Sequence, residues 1–190
     1  RVILLESIEK KAEFLRRANL GEKVEVGGDV GVIGGGNVAI DAARISRRLG
    51  AKKVTILYRR TRNEMPANPE EVDAALEEGI VIVYLCAPSR LAGENGRLKL
   101  ESVRMELGEP DASGRRRPVP IEGSEFVTEL DTVIAAIGQR AEVPQGFEID
   151  LGRGNVVKVG DEMQTSRDGV YSGGDCVSGP ATVIEAIAAG

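Results

Sequence analysis

The chain has 190 residues, with 25 Lys and Arg against 30 Asp and Glu, for a formal net charge of −5. That balance gives no argument for a nucleic-acid or membrane-surface partner, and no apolar run approaches the length of a membrane span or marks a signal peptide. Histidine is absent and the two cysteines, Cys86 and Cys176, are far apart, which excludes Ser-His-Asp and Cys-His catalysis, His-based metal sites and a C-x-x-C redox centre.

Residues 5–19 carry Leu5, Ile8, Ala12, Leu15 and Ala18 at intervals of three or four, with Glu6, Glu9, Lys10, Glu13 and Arg16 between them. The spacing predicts an amphipathic helix. Residues 20–28 read as a glycine-containing link, so 1–27 is an N-terminal helix and linker.

Residues 30–39 are Val-Gly-Val-Ile-Gly-Gly-Gly-Asn-Val-Ala. A β-branched run stops at Gly34, and Gly36 and Ala39 complete G-x-G-x-x-A. A helical stripe of Val38, Ala42, Ile45 and Leu49 follows, with Gly50 as its stop. A second strand, 53–58, closes a β-α-β unit within about 30 residues. This combination suits a dinucleotide pyrophosphate. Gly34 permits the tight turn, Gly36 lets the backbone approach the phosphates, and Ala39 allows close helix–strand packing. The anion would rest on free N–H groups at the positive helix end.

The end of the second strand discriminates between dinucleotides. An acid there would accept from the ribose 2′-OH of NAD. This chain has Tyr58-Arg59-Arg60 instead. Guanidinium groups pair with a 2′-phosphate through parallel hydrogen bonds, so NADP is favoured over NAD. A solvated charged loop is the alternative.

Residues 61–69 form a loop with Pro66 and Pro69, 70–79 a short helix ending at Gly79, and 80–85 a buried strand. From Ser89 to Phe126, short alternating runs separated by Gly93-Glu94-Asn95-Gly96 and Asp111-Ala112-Ser113-Gly114 suit an antiparallel excursion of two or three strands. Arg115-Arg116-Arg117 reads as a solvated hairpin tip. Residues 131–138 return as a buried strand ending in glycine. Further short strands are expected at 156–159 and 170–172, and a helix near Pro180. The fold class is α/β: a three-layer, Rossmann-like FAD/NAD(P)-binding domain with a parallel sheet plus an antiparallel excursion.

A second strand-to-turn signal is Gly173-Gly174-Asp175, followed by Gly179-Pro180-Ala181-Thr182-Val183. Taken alone, it is a strand–turn–helix with an acidic turn residue. The chain resembles the flavin-dependent pyridine-nucleotide oxidoreductases, and within them the glutamate synthase small-subunit branch. The resemblance is carried, in order through nearly the whole chain, by Phe14-Leu15-Arg16-Arg17-Ala18-Asn19, by residues 32–44, by Tyr58-Arg59-Arg60 with Glu64-Met65-Pro66-Ala67, by Ala136-Ile137-Gly138-Gln139, and by the two segments just named.

The resemblance implies roles for these residues. Gly34, Gly35, Gly36, Asn37, Val38 and Ala39 would hold the NADP pyrophosphate, with Arg59 and Arg60 on the 2′-phosphate. Ala136, Ile137 and Gly138 would line the nicotinamide side. Gly174 and Asp175 would bind the ribityl or phosphate of FAD, and Ala181, Thr182 and Val183 would face its ring. No catalytic acid or base and no metal ligand is implied, since the cofactors carry hydride transfer. Residues 28–140 would be the NADP domain and 141–190 the returning part of an incomplete FAD domain. The family's N-terminal flavin unit and iron–sulfur cysteines are not in this sequence. The chain begins at Arg1 and stops inside a helical pattern, so a piece of a longer polypeptide is expected. An electron-accepting subunit or ferredoxin-like protein is the expected partner, in a cytoplasmic setting, as the lack of a cysteine framework also suggests. A non-catalytic NADP-binding redox sensor is the alternative from another class.

Overall fold

The computed structural model describes residues 2–4 (backbone only), 14, 17–18, 20–110, 114–138, 142–144, 146–179 and 183–189. In chain order its elements are β1 (Val2–Leu4), β2 (Asp29–Ile33), α1 (Asn37–Arg48), β3 (Lys53–Tyr58), a 3-10 turn (Arg62–Glu64), α2 (Pro69–Glu77), β4 (Val81–Tyr84), β5 (Cys86–Glu94), β6 (Arg97–Pro110), β7 (Arg116–Pro120), β8 (Phe126–Leu130), β9 (Thr132–Ala135), α3 (Asp175–Ser178) and α4 (Val183–Ala188). The chain divides into two compact units, Arg1–Gly138 and Gln139–Gly190.

The first unit has three layers. Its centre is a five-stranded parallel sheet in the order β1-β9-β2-β3-β4. Successive strand side chains point to opposite faces, and the sequence exploits this. Val30, Val32, Val54, Ile56 and Ile134 join one core with α1 and α2. Their neighbours Ile33, Leu57 and Val133 join the other with Leu98, Leu100 and Leu130 of the antiparallel sheet. Both faces are therefore covered, which is why these strands read as continuous apolar runs. Each fully buried Ile or Val contributes about 1.5–3 kcal/mol.

α1 turns Ala39, Ile40, Ala42 and Ala43 inward, all fully buried. Its last turn is anchored by Arg44 and Arg48, both 2.8 Å from Glu78 Oε1 beyond α2. Arginine near a helix C-terminus also suits the dipole. α2 starts at an Asn68 cap, whose Oδ1 accepts from the Glu70 N–H at 3.3 Å, followed by Pro69.

Several expectations are adjusted. Val2–Leu4 is a strand beside β9 rather than helix or linker, in keeping with the strand preference of β-branched residues. Of the expected helix at 5–19, Phe14, Arg17 and Ala18 are helical and the rest lies outside the described residues. Among the described residues β4 pairs only with β3, and Val81 is 47% exposed, so it is an edge strand, not a buried one. The antiparallel excursion has four strands, β5 to β8, with β6 pairing β5, β7 and β8. In the second unit, the strands expected at 156–159 and 170–172 reduce to single bridges, Leu151 with Val157 and Gln164 with Tyr171.

The two sheets are latched at the N-terminal edge of β2 and β9. Asp131 Oδ2 accepts from the Gly28 N–H at 2.7 Å and the Asp29 N–H at 2.9 Å. Arg97, at the start of β6, donates to Asp29 Oδ2 at 2.7 Å and lies 3.5 Å from Asp131 Oδ1. The main-chain N–H groups, first that of Asp29 and then that of Gly28, and after them the Arg97 charge, hold the Asp131 carboxyl below its ordinary value. A carboxyl that titrates lower when folded stabilises the fold fully above about pH 4, and that contribution is lost as pH falls through the folded-state value. Asp131→Asn is expected to lower stability at pH 7 by about 1 kcal/mol. In urea titrations the gap from wild type should narrow toward pH 2, and a gap of the same size at both pH values would contradict this role for the charge.

Candidate functional site

The glycine turn of residues 34–36 joins β2 to α1 at the carboxyl edge of the parallel sheet. On one side the Gly34 N–H donates to Leu57 O of β3 at 3.1 Å, and on the other the Ala136 N–H donates to Ile33 O at 2.7 Å. From β2 the chain continues to β3 and β4 in one direction, while β9 and β1 lie in the other. This is a topological switch point, where open α/β sheets leave a crevice.

The three glycines have different physical reasons. Gly34 has φ +142°, and a Cβ there would lie 2.3 Å from the Ala136 carbonyl oxygen. A Cβ on Gly35 would lie 2.4 Å from the ring of Tyr58, the last residue of β3. A Cβ on Gly36 would meet only Pro66 Cγ, at 3.9 Å. The protein's own packing demands the first two, whereas the third borders open space at the start of α1. Gly36 is the N-cap, with extended backbone and no side-chain cap, and the first turn holds no acid. The helix start thus presents N–H groups and a positive dipole end, without a carboxylate to neutralise them.

A strap formed by residues 61–68 crosses this turn. Tyr58 Oη donates to Glu64 O at 2.6 Å, the Ala67 N–H donates to Gly35 O at 3.1 Å, and the Asn68 N–H donates to Asn37 Oδ1 at 2.8 Å. Thr61 and Glu64 form a reciprocal capping box at its 3-10 turn. Hydrogen bonding from the Thr61 hydroxyl is the main reason the Glu64 carboxyl titrates below its ordinary value. The strap was legible only as a loop, although Thr61-x-x-Glu64 and Asn68-Pro69 are both capping signals.

The other expected residues fall as follows. Val38 is half-buried and Ala39 fully buried in α1's first turn. Arg59 is exposed beyond β3. Arg60 is 5% exposed and donates from Nε to Arg116 O at 2.7 Å, so that donor is turned to the antiparallel sheet. Ala136 is half-buried after β9, Ile137 is 73% exposed, and Gly138 has φ +106°. The structure therefore brings 34–39, 59 and 136–138 to one edge of one sheet. Gly174, Asp175 and Val183 lie in the second unit. There a Cβ on Gly174 would come within 3.2 Å of Ala186 Cβ, Asp175 is exposed at the start of α3, and Val183 is 75% exposed. Ala181 and Thr182 lie outside the described residues. Cys86 is buried, and burial pushes its thiol up, which disfavours the thiolate. Among the described residues, no cluster of acidic, Cys or His groups could hold a metal ion, and no helix is long and apolar enough to cross a membrane. Main-chain donors at a helix start, with an exposed arginine beyond the neighbouring strand, are groups that bind and orient anions.

Comparison with known proteins agrees with this fold. The family profile described as pyridine nucleotide-disulphide oxidoreductase matches residues 4–190. The NADPH-Fe(3+) oxidoreductase subunit beta of Geobacter sulfurreducens is 44% identical over 201 residues, covering 92% of this chain and 30% of that one. The NADP(+)-dependent formate dehydrogenase subunit beta of Moorella thermoacetica is 46% identical over 182 residues, covering 94% and 26%. The glutamate synthase [NADPH] small chain of Azospirillum brasilense is 38% identical over 185 residues, covering 90% and 38%. The chain thus spans well under half the length of these relatives. Mycobacterium tuberculosis FprA in complex with NADPH shares the fold, with a TM-score of 0.64 at 19% identity over 84% of this chain and 49% of that one.

The three glycines should respond differently to alanine. Gly34→Ala and Gly35→Ala should each lose more than about 2 kcal/mol of stability, through backbone strain and overlap. Gly36→Ala should cost about 1 kcal/mol or less, the difference between two weak N-caps. Urea midpoints of the three variants check this order, and a Gly36 variant as unstable as the other two would contradict the open space assigned to that position.

Proposed function

Because the chain belongs to the pyridine nucleotide-disulphide oxidoreductase family, we propose that its first unit is the NADP(H)-binding part of a flavin-dependent oxidoreductase of the glutamate synthase small-chain type. The observation that carries the proposal is the uncapped, acid-free start of α1 beside Gly36, at the switch point of a parallel sheet. The fit is physical. A helix of 12 residues presents its N–H groups where the only alanine-sized gap in the glycine turn remains, and a pyrophosphate needs both the donors and the gap.

In this reading the main chain at Gly36, Asn37 and Val38 holds the pyrophosphate. Asn37 also fixes the strap through its Oδ1. Arg59 pairs with the 2′-phosphate, and Ala136, Ile137 and Gly138 flank the nicotinamide. When bound, the nicotinamide and flavin supply hydride chemistry, and the protein's task is to position them and exclude water. We assign residues 141–190 to the returning part of a flavin domain, with Gly174, Asp175, Ala181, Thr182 and Val183 at its site. The matched family and the exposed carboxylate at the start of α3 support that assignment. The relatives' names as subunits support a larger assembly with an electron-accepting partner. Iron–sulfur clusters belong to the proposal only outside this chain, and the setting is cytoplasmic.

Two experiments test the halves of the proposal. In calorimetry on the intact protein, Gly36→Ala should reduce affinity for NADP and NAD alike. Arg59→Ala should weaken NADP about tenfold to a hundredfold, the equivalent of one charge-assisted hydrogen bond, and leave NAD nearly unchanged. Equal losses for both dinucleotides from the Arg59 variant would count against its role. For the second unit, Asp175→Ala should lower flavin occupancy, read from the visible spectrum of purified protein, without changing NADP affinity. Loss of both together would make Asp175 a structural residue.

A further inference from the structure

Given the dinucleotide site assigned above, we propose that Tyr58 is its positioning residue: through the strap of residues 61–68 it fixes the peptide between Gly35 and Gly36, so that the Gly36 N–H is aimed before a pyrophosphate arrives. Tyr58 ends β3 and is 6% exposed, so it offers almost no surface to a ligand directly. Its ring lies against the main chain of Gly35, where a Cβ would stand 2.4 Å from Cε2. Its hydroxyl donates to Glu64 O at 2.6 Å. From Glu64 the strap turns back, and the Ala67 N–H donates to Gly35 O at 3.1 Å. Ring, hydroxyl, strap and amide thus form a closed bracket around one residue, Gly35.

The bracket is anchored at several points. Ala67 is buried in the core shared by α1 and α2, and Met65 packs against the same core. Thr61 and Glu64 cap each other at the 3-10 turn. The Asn68 N–H donates to Asn37 Oδ1 at 2.8 Å, which ties the far end of the strap to the first residue of α1. Peptide geometry carries the consequence to the site. In a planar trans peptide the C=O and N–H point in opposite directions, and the described chain has no cis bond. With the Gly35 carbonyl held toward Ala67, the N–H on the other side of that peptide, that of Gly36, points away from Ala67. Among the described residues no main-chain acceptor takes it, and a Cβ on Gly36 would meet only Pro66 Cγ, at 3.9 Å. A peptide between two glycines is otherwise free to take many orientations. The strap also occupies two acceptors, the Gly35 carbonyl and the Asn37 carboxamide oxygen, that would repel an anion if they turned toward it. A donor fixed in advance spares the ligand the cost of ordering it.

The test is calorimetry on the intact wild-type protein and on Tyr58→Phe, with thermal midpoints alongside. The ligands are NADP, NAD and adenosine 2′-phosphate, which carries no pyrophosphate. Tyr58→Phe keeps the ring against Gly35 and removes only the hydroxyl. It should weaken NADP and NAD by the same factor, about fivefold, and leave adenosine 2′-phosphate within a factor of about two. Ala67→Pro, which removes the N–H at the other end of the bracket, should show the same pattern. If that variant does not fold, amide exchange supplies the second measurement: the Ala67 N–H should be protected in ligand-free wild type and exchange about tenfold faster in Tyr58→Phe. Unchanged NADP and NAD affinities in Tyr58→Phe, whatever its midpoint, would overturn the proposal and leave Tyr58 a residue of the fold alone. An equal loss for adenosine 2′-phosphate would also overturn it, by showing damage to the whole site. An Ala67 N–H that gains protection only when NADP is added would contradict a donor set in advance. A wild-type protein that binds neither dinucleotide would instead remove the underlying reading itself.

Discussion

The carboxyl edge of the parallel sheet depends on how closely the main chain at Gly34 and Gly35 passes its neighbours. With side chains at those positions, atoms would stand 2.3 Å from the Ala136 carbonyl oxygen and 2.4 Å from the Tyr58 ring. Neither neighbour can move cheaply. Ala136 is tied to Ile33 by its own N–H, and Tyr58 is held through its hydroxyl by Glu64 O. Only glycine lets β2 turn this sharply into α1, and the turn sets where the helix start, the strap and the end of β9 meet. Overlaps of that size are the kind of strain that costs several kcal/mol in a close-packed interior, a large share of a domain's total stability.

Two consequences follow for function. First, the turn holds the helix start open without help from a side chain, so its N–H groups stay available to an anion instead of being spent on a cap. Second, the end of β3 is crowded on one face and open on the other. Arg60 goes into the joint between the two sheets, and Arg59 goes to solvent. In the proposed reading, affinity for a pyrophosphate and discrimination for a 2′-phosphate are assigned to adjacent but separable pieces of structure.

Much of this was legible in the sequence. The strand–glycine–helix pattern at 30–49 and the following strand were placed correctly because period and punctuation agree there. The three-layer α/β class, the inserted antiparallel segment and the family resemblance were legible too. What escaped has specific causes. β1 is three residues long and pairs with β9, far away in sequence. β8 directly precedes β9, with only Asp131 between them and no glycine or proline to mark the passage from one sheet to the other, so residues 127–130 were assigned to no strand. Arg59 and Arg60 looked equivalent because a sequence does not show which side of an extended segment the core occupies. The strap was missed because its hold on the glycine turn depends on main-chain atoms of Gly35, Ala67 and Asn68, which leave no mark in residue type.

The most direct test is a crystal structure of the intact protein with NADP bound. The pyrophosphate should lie within hydrogen-bond distance of main-chain N–H groups between Gly36 and Val38, with the 2′-phosphate against the Arg59 guanidinium. A pyrophosphate seated away from the start of α1, for example at the Gly173–Asp175 turn, would contradict the assignment of the dinucleotide site.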